Sequence, residues 1–316
     1  MLSGLLFTLL KYMNDMIDEI TIQWFPGHMT KTRRMMQKYL PMVDAVVEII
    51  DARVPLSSRN PDIAELIGDK PDILLMNKCD AADPAATDRW LSYFRKSTSA
   101  VIAADCRSGR GLDRFEPVVR EVLSDLIAKY EAKGMGGRML HIMVVGIPNV
   151  GKSSFINRMA GQKKARVEDR PGVTRDKQWV QISEGIELLD MPGVLWPKFE
   201  DMSVGEKLAF TGAVKDAVVD TELLACRLLL TLRDSYGEGI AAHYGIDMST
   251  PEEDEMMASG MALGCASGYE LLCRIGRRRG MLIKGGDIDT ERAAICVLDE
   301  FRSGKLGRIT LEQADR

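Results

Sequence analysis

The sequence has no CxxC pair among its six cysteines, at 79, 106, 226, 265, 273 and 296. Cysteines scattered this way build neither a zinc framework nor a disulfide scaffold, and read as the reduced thiols of a cytoplasmic protein. An excess of positive charge is also missing. The formal net charge is −4, so the whole molecule offers no field for nucleic acid, and any such contact must come from a local patch. Long apolar runs are missing too. The opening MLSGLLFTLLKYMNDM is apolar for about ten residues, short of the roughly 20 that cross a bilayer. No basic residue precedes that run and no small-residue cleavage site follows it, which argues against a secretory signal. An amphipathic helix or an upstream start codon accounts for it, with Met13 or Met16 as the alternative start, and residues 1–22 are taken as an N-terminal extension. Internal repeats and low-complexity tracts are absent. What is present is 46% hydrophobic and 28% charged, the composition of a soluble globular protein, in 316 residues that suffice for two domains.

From Val43 to Gly193 short apolar runs alternate with longer amphipathic stretches. VDAVVEIID (43–51), DILLMNK (72–78), AVIAAD (100–105), LHIMVVG (140–146), QWVQI (178–182) and IELLD (186–190) predict strands. Asn60-Pro61 and Asp83-Pro84 each place a capping side chain before a proline at the first helical position. The stretch LDRFEPVVREVLSDLIAKYEAKG predicts one long helix ending at Gly134. Strand–helix alternation implies an α/β domain with a mostly parallel sheet and helices on both faces. After Trp196-Pro197 the strand signals stop, and residues 201–316 are expected to form a smaller all-helical domain.

GIPNVGKS (146–153) fits GxxxxGK[ST], with a strand before it and a helix after it. Glycine lets backbone N–H groups approach phosphates, and a helix N-terminus favours their charge. Asn149, Val150, Gly151, Lys152, Ser153 and Ser154 are the residues expected there, with Lys152 reaching the β- and γ-phosphates and the Ser153 hydroxyl binding Mg²⁺. One strand later, DMPG places Asp190 where a carboxylate can hold Mg²⁺ and Gly193 where an N–H can touch the γ-phosphate; alone, this is also an ordinary turn. Thr174, in RPGVTRD, is the hydroxyl expected to close over Mg²⁺ and the γ-phosphate. Upstream, Asn77-Lys78-Cys79-Asp80 ends a strand, where open α/β sheets bind ligands. The Asp80 carboxylate can accept from the N1–H and 2-amino group of guanine; adenine has neither donor and would leave it unpaired.

In this order the motifs resemble those of circularly permuted P-loop GTPases of the ribosome biogenesis GTPase A (YlqF/RbgA) family. WFPGHMTK (24–31), DARVPLSSRNP (51–61), NKCD, GIPNVGKS, DRPGVT (169–174), LLDMPGVLWPKFED (188–201) and GRRRG…GG…RSGKLGR (276–308) carry the resemblance, which covers nearly everything from Gln23 onward. It implies a GTPase domain over 23–200 with the base-reading motifs ahead of the phosphate loop, binding GTP or GDP with Mg²⁺. It also implies that DCRSG (105–109) is the second guanine motif, with a backbone N–H near Cys106 on the base. That stretch departs from the usual Ser-Ala-Lys. Asn149 matches the position that coordinates K⁺ in potassium-dependent relatives.

Where many GTPases carry a water-orienting glutamine after the DxxG glycine, this chain has Val194 and Leu195. The catalytic group must come from elsewhere, and the resemblance offers His28 of the GHM motif; capping a turn or contacting RNA are the other roles open to it. Arg277, Arg278 and Arg279 form the densest basic cluster, followed by Lys284, Arg302, Lys305 and Arg308. The cluster is either a solvated helix end or, as the resemblance implies, a surface for large-subunit ribosomal RNA. The expected protein is a cytoplasmic, monomeric GTPase, with no membrane attachment, that binds the immature large ribosomal subunit and promotes a late step of its assembly. A nucleotide-dependent RNA-binding module and a GTPase of tRNA modification are the alternatives.

Overall fold

The computed structural model describes residues 26–161, 179–195, 201–249 and 266–314. They fall into two compact units, divided after residue 199 and again after residue 309. In chain order the first unit holds α1 (Pro26–Tyr39), β1 (Ala45–Asp51), α2 (Pro61–Ile67), β2 (Asp72–Asn77), α3 (Pro84–Phe94), β3 (Ala100–Ala103), α4 (Phe115–Val122), α5 (Ser124–Ala132), β4 (Leu140–Val145), α6 (Lys152–Gly161), β5 (Trp179–Ser183) and β6 (Ile186–Asp190).

The six strands form one sheet in the order β3-β2-β1-β4-β6-β5, parallel except where β5 joins β6. The chain builds outward from β1 through β2 to β3, then returns to lay β4 on the other side of β1. The switch point of the sheet therefore lies between β1 and β4, and a parallel sheet binds ligands beyond its carboxyl ends at such a point. The strands are apolar on both sides because both sides are covered. On one face Val46, Met143 and Leu189 pack with Met36 and Tyr39 of α1 and Ile63 of α2, while Leu74 and Met76 pack with Trp90 and Phe94 of α3. Val47, Ile49, Ile73, Leu75 and Ile142 point the other way and are fully buried, as are Phe115 of α4 and Phe155 of α6, whose rings meet edge to face at 5.0 Å.

Local chemistry sets the helix starts. The Asn60 side chain accepts from the Asp62 N–H and the Asp83 side chain from the Ala86 N–H, each with proline at the first helical position. The single helix expected up to Gly134 is instead two. The chain leaves helical dihedrals at Leu123 (φ −100°, ψ 15°), and α5 beyond it carries no buried residue.

The second unit contains α7 (Met202–Phe210), α8 (Thr221–Tyr244), α9 (Ala266–Arg278) and α10 (Thr290–Arg302). Leu228, Leu232, Leu271, Ile275, Val297 and Phe301 form its core. α9 comes very close to α8: a Cβ on Gly268 would lie 2.5 Å from the Cys226 carbonyl oxygen, so only glycine fits there. The expectation of a helical domain to the end of the chain needs correcting, because residues 310–314 leave the helices and belong with the sheet. The N-terminal extension, residues 1–22, lies outside the described residues. Among the described residues no helix is long and apolar enough to cross a membrane.

Candidate active site

The phosphate loop, 146–151, connects β4 to α6 at the switch point. Its turn uses left-handed backbone at Asn149 (φ 58°) and a positive φ at Gly151 (106°). Val150 is buried and pins the loop from below, while Asn149, Ser153 and Ser154 are exposed. Lys152 is buried, and its ammonium donates to the carbonyls of Gly146 (3.0 Å) and Ile147 (2.7 Å). Burial pulls the Lys152 ammonium down to about 8, against the opposing pull of the Asp190 charge.

A bound phosphate would restore the charged lysine, so binding takes up a proton above that pH. The affinity for GDP is expected to fall as pH rises through 8, about fourfold between pH 7 and pH 8.5, and titration calorimetry in buffers of different ionisation enthalpy should show the proton uptake.

Asp190 ends β6 directly beside Val144 of β4. Gly193 follows, packed so tightly on the loop that a Cβ there would lie 2.9 Å from Pro148 and from the Lys152 ammonium. The Val194 N–H donates to the Gly146 carbonyl (3.3 Å) and Leu195 is buried. The DMPG turn and the phosphate loop thus form one surface. Thr174 lies outside the described residues. So does the side chain of His28, whose backbone is in the first turn of α1.

The residues expected to read a base follow β2, which lies beside β1. Asn77 is buried and links two loops: its Nδ2 donates to the Val150 carbonyl (2.7 Å), and its Oδ1 accepts from the Cys106 N–H (2.9 Å). The Cys106 N–H thus fixes the Asn77 side chain. The Cys106 thiol is pushed up to about 12 by burial and is inert as a nucleophile. Lys78, at φ 62°, reaches back to the Asn149 carbonyl (2.9 Å) and the Asp51 carboxylate (2.8 Å). Asp80 stands at the rim with Arg107 at 3.4 Å, an exposed pair that contributes little to stability.

Sequence reading attached no role to Asp51 and Arg53. Burial alone would raise the Asp51 carboxyl, but the charges of Arg53 and Lys78 and their hydrogen bonds outweigh it and hold it well below the usual carboxylate range. Asp51 and Arg53 are two residues apart in one segment, and Lys78 joins them because β1 and β2 lie side by side.

The arrangement could therefore offer backbone donors and a lysine to phosphates, a carboxylate to a base with adjacent donors, and a second carboxylate and a hydroxyl to a divalent cation. A family model described as "50S ribosome-binding GTPase" matches residues 141–247, starting at the strand before the phosphate loop and leaving β1–β3 outside. The ribosome biogenesis GTPase A of Priestia megaterium is 43% identical over 294 residues, 93% of this chain and 97% of that protein. The chain belongs to the ribosome biogenesis GTPase A family. Its homologue from Thermotoga maritima is 30% identical over 93% of this chain and 95% of its own length. The mouse mitochondrial ribosome-associated GTPase 1 is 36% identical over 92% of the chain and 90% of its own. Among solved structures, GNP-bound YlqF from T. maritima superposes with a TM-score of 0.59 at 26% identity, covering 90% of this chain and 98% of that one.

This protein is a GTP hydrolase with a circularly permuted P-loop domain. Its helical unit carries the basic cluster. Arg277, Arg278 and Lys284 are exposed, beside the exposed Leu282 and Ile283. Arg279 is exposed as well but is engaged within the unit. It pairs with Glu300 (3.2 Å), lies 3.4 Å from His243 and sits over the Tyr244 ring, so its charge is largely spent inside the unit. Arg302 is likewise paired with Asp216 (2.6 Å).

Proposed function

We propose that this GTPase binds the immature large ribosomal subunit and hydrolyses GTP to promote a late step of its assembly. The observation that supports a partner-dependent hydrolysis is at Val194. This position follows the DMPG glycine, its side chain is apolar, and its carbonyl accepts from the Asn60 side-chain amide (3.2 Å). An apolar group fastened in this way cannot orient the attacking water, so the intrinsic rate is slow and the missing group is brought by a second event. His28 is that group, placed when the subunit is bound. Asn77, Lys78 and Asp80 read the guanine, and the loop from Asn149 to Ser154 takes the phosphates.

The donor set suits Mg²⁺. Among the described residues no three carboxylate, histidine or cysteine side chains converge to hold a metal alone, so the ion would take ligands from phosphate oxygens, water and a few side chains. Ser153, Asp190 and Thr174 would hold it, and it would neutralise charge on the β- and γ-phosphates. K⁺ would sit by Asn149 and add positive charge at the same oxygens. Arg277 and Arg278, with Arg279 held back by Glu300, form the contact to ribosomal RNA. The protein works in the cytoplasm as a monomer.

The test is GTP turnover with and without large subunits, in K⁺ and then in Na⁺. Large subunits are expected to stimulate the wild-type chain by on the order of tenfold or more in K⁺. His28→Ala should keep its nucleotide affinity and lose the stimulation. Arg277→Glu with Arg278→Glu should lose it at moderate salt by failing to bind. A wild-type rate indifferent to large subunits would remove the proposed function, and a fully stimulated His28→Ala would remove the role of His28.

A further inference from the structure

The segment DARVPLSSRN (51–60) follows β1 at the switch point and touches three separate parts of the first unit. At its start, both carboxylate oxygens of Asp51 are engaged by Arg53, Nε on Oδ1 at 2.9 Å and Nη2 on Oδ2 at 2.8 Å, while Lys78 Nζ shares Oδ2 at 2.8 Å. Asp51 and Arg53 are each 1% exposed, so they act as a buried, geometrically fixed pair. Lys78 has a left-handed backbone, costly for a side-chain-bearing residue and kept only when its surroundings hold it. At the far end of the segment, Asn60 caps α2 and grips the Val194 carbonyl.

The middle is held by residues more than 250 positions away. The Leu311 N–H donates to the Arg53 carbonyl (2.7 Å), and the Thr310 hydroxyl to the Ala52 carbonyl (3.3 Å). The Glu312 carboxylate accepts from the N–H groups of Leu56 (2.7 Å) and Ser57 (3.2 Å) and from the Ser57 hydroxyl. Its own carbonyl accepts from the Trp90 indole N–H (3.1 Å). Glu312 is 7% exposed, and burying a carboxylate costs free energy that an apolar residue would not incur. A carboxylate does what an apolar residue cannot: it satisfies and fixes the backbone donors of an irregular loop.

We propose that Thr310–Gln313 is a positioning segment of the nucleotide site, in which Glu312 fixes Leu56 and Ser57 and, through the Asp51–Arg53 pair, sets Lys78 against the phosphate loop. In the chain the segment follows directly on the helical unit. The inference rests on the reading of Asn77, Lys78 and Asp80 as the guanine site.

The test is a double-mutant cycle in the full chain, read as the dissociation rate and Kd of fluorescently labelled GDP, with melting temperature recorded alongside. Glu312→Ala is expected to speed GDP release and raise Kd about tenfold, with Glu312→Gln, which keeps one acceptor oxygen, in between. On a Lys78→Ala background, Glu312→Ala should change Kd less than about twofold, because the group it acts through is gone. A residue that merely stabilises the fold would lower the melting temperature and leave Kd alone, or give effects that multiply on that background, and either result overturns the proposal. If Glu312→Ala does not fold, wild-type GDP binding by Glu312→Gln overturns it equally. If Lys78→Ala itself binds GDP like the wild type, the guanine-site reading fails first and the inference goes with it.

Discussion

Asp80→Asn is expected to weaken GDP binding on the order of 10³-fold and to make xanthosine diphosphate the better ligand. In the proposed guanine site the carboxylate would accept from two donors, N1–H and the 2-amino group. Asparagine offers one acceptor and one donor, so its NH₂ would face the 2-amino group and leave both unpaired. Xanthine carries a carbonyl where guanine carries that amine, and an asparagine donor matches it while the asparagine oxygen still accepts from N1–H. The substitution also removes the contact with Arg107, but that side chain is 80% exposed and the pair contributes little. The melting temperature should therefore stay near that of the wild type while specificity inverts. Competition of labelled GDP against GDP and xanthosine diphosphate measures both effects. A weakened GDP affinity with no gain for xanthosine diphosphate would mean that Asp80 does not face the base.

Gly151→Ala is expected to reduce nucleotide binding on the order of a hundredfold through two separate physical effects. At φ 106° an alanine is strained by about 1–3 kcal/mol. In addition, its Cβ would collide with the Asn77 side-chain nitrogen, the atom that donates to the Val150 carbonyl. Moving Asn77 aside also releases the Cys106 N–H, so one methyl group separates the phosphate loop from the loops that carry Asn77 and Cys106. Gly280→Ala separates strain from collision. Gly280 also has positive φ (66°), but nothing lies within 4 Å of its added Cβ, and it sits beyond α9 in the helical unit. That variant should lose some stability and bind GDP normally. Equal GDP affinity in Gly151→Ala and the wild type would show that the Asn77 link is dispensable.

The sheet and its order of motifs were legible because each strand is a short apolar run and each helix start has its own local chemistry, as at Asn60-Pro61 and Asp83-Pro84. The phosphate loop and the Asn-Lys-x-Asp turn were legible for the same reason: their chemistry is contiguous in the chain. What escaped depends on contacts distant in sequence. Asp51 matters because β1 and β2 are neighbours, and Glu312 matters because an unpatterned stretch, TLEQ, lies against residues 51–57. Arg279 looked like its neighbours in the run RRR until Glu300, on another helix, claimed it. The resemblance implied a backbone N–H near Cys106 on the base, and only the structure shows the Cys106 N–H itself bonded to Asn77.

The return of residues 310–314 to the sheet has a consequence for biosynthesis. All six strands have been translated by Asp190, so a nascent chain can build the sheet while the helical unit is still being made. The backbone donors of Leu56 and Ser57 must wait for Glu312, more than a hundred residues later. A translating ribosome therefore carries a folded but loosely fastened nucleotide domain, and the grip on Lys78 tightens only after the helices have emerged. Released chains ending before residue 310 and after residue 314 would differ in how long they hold labelled GDP, although their strands are identical.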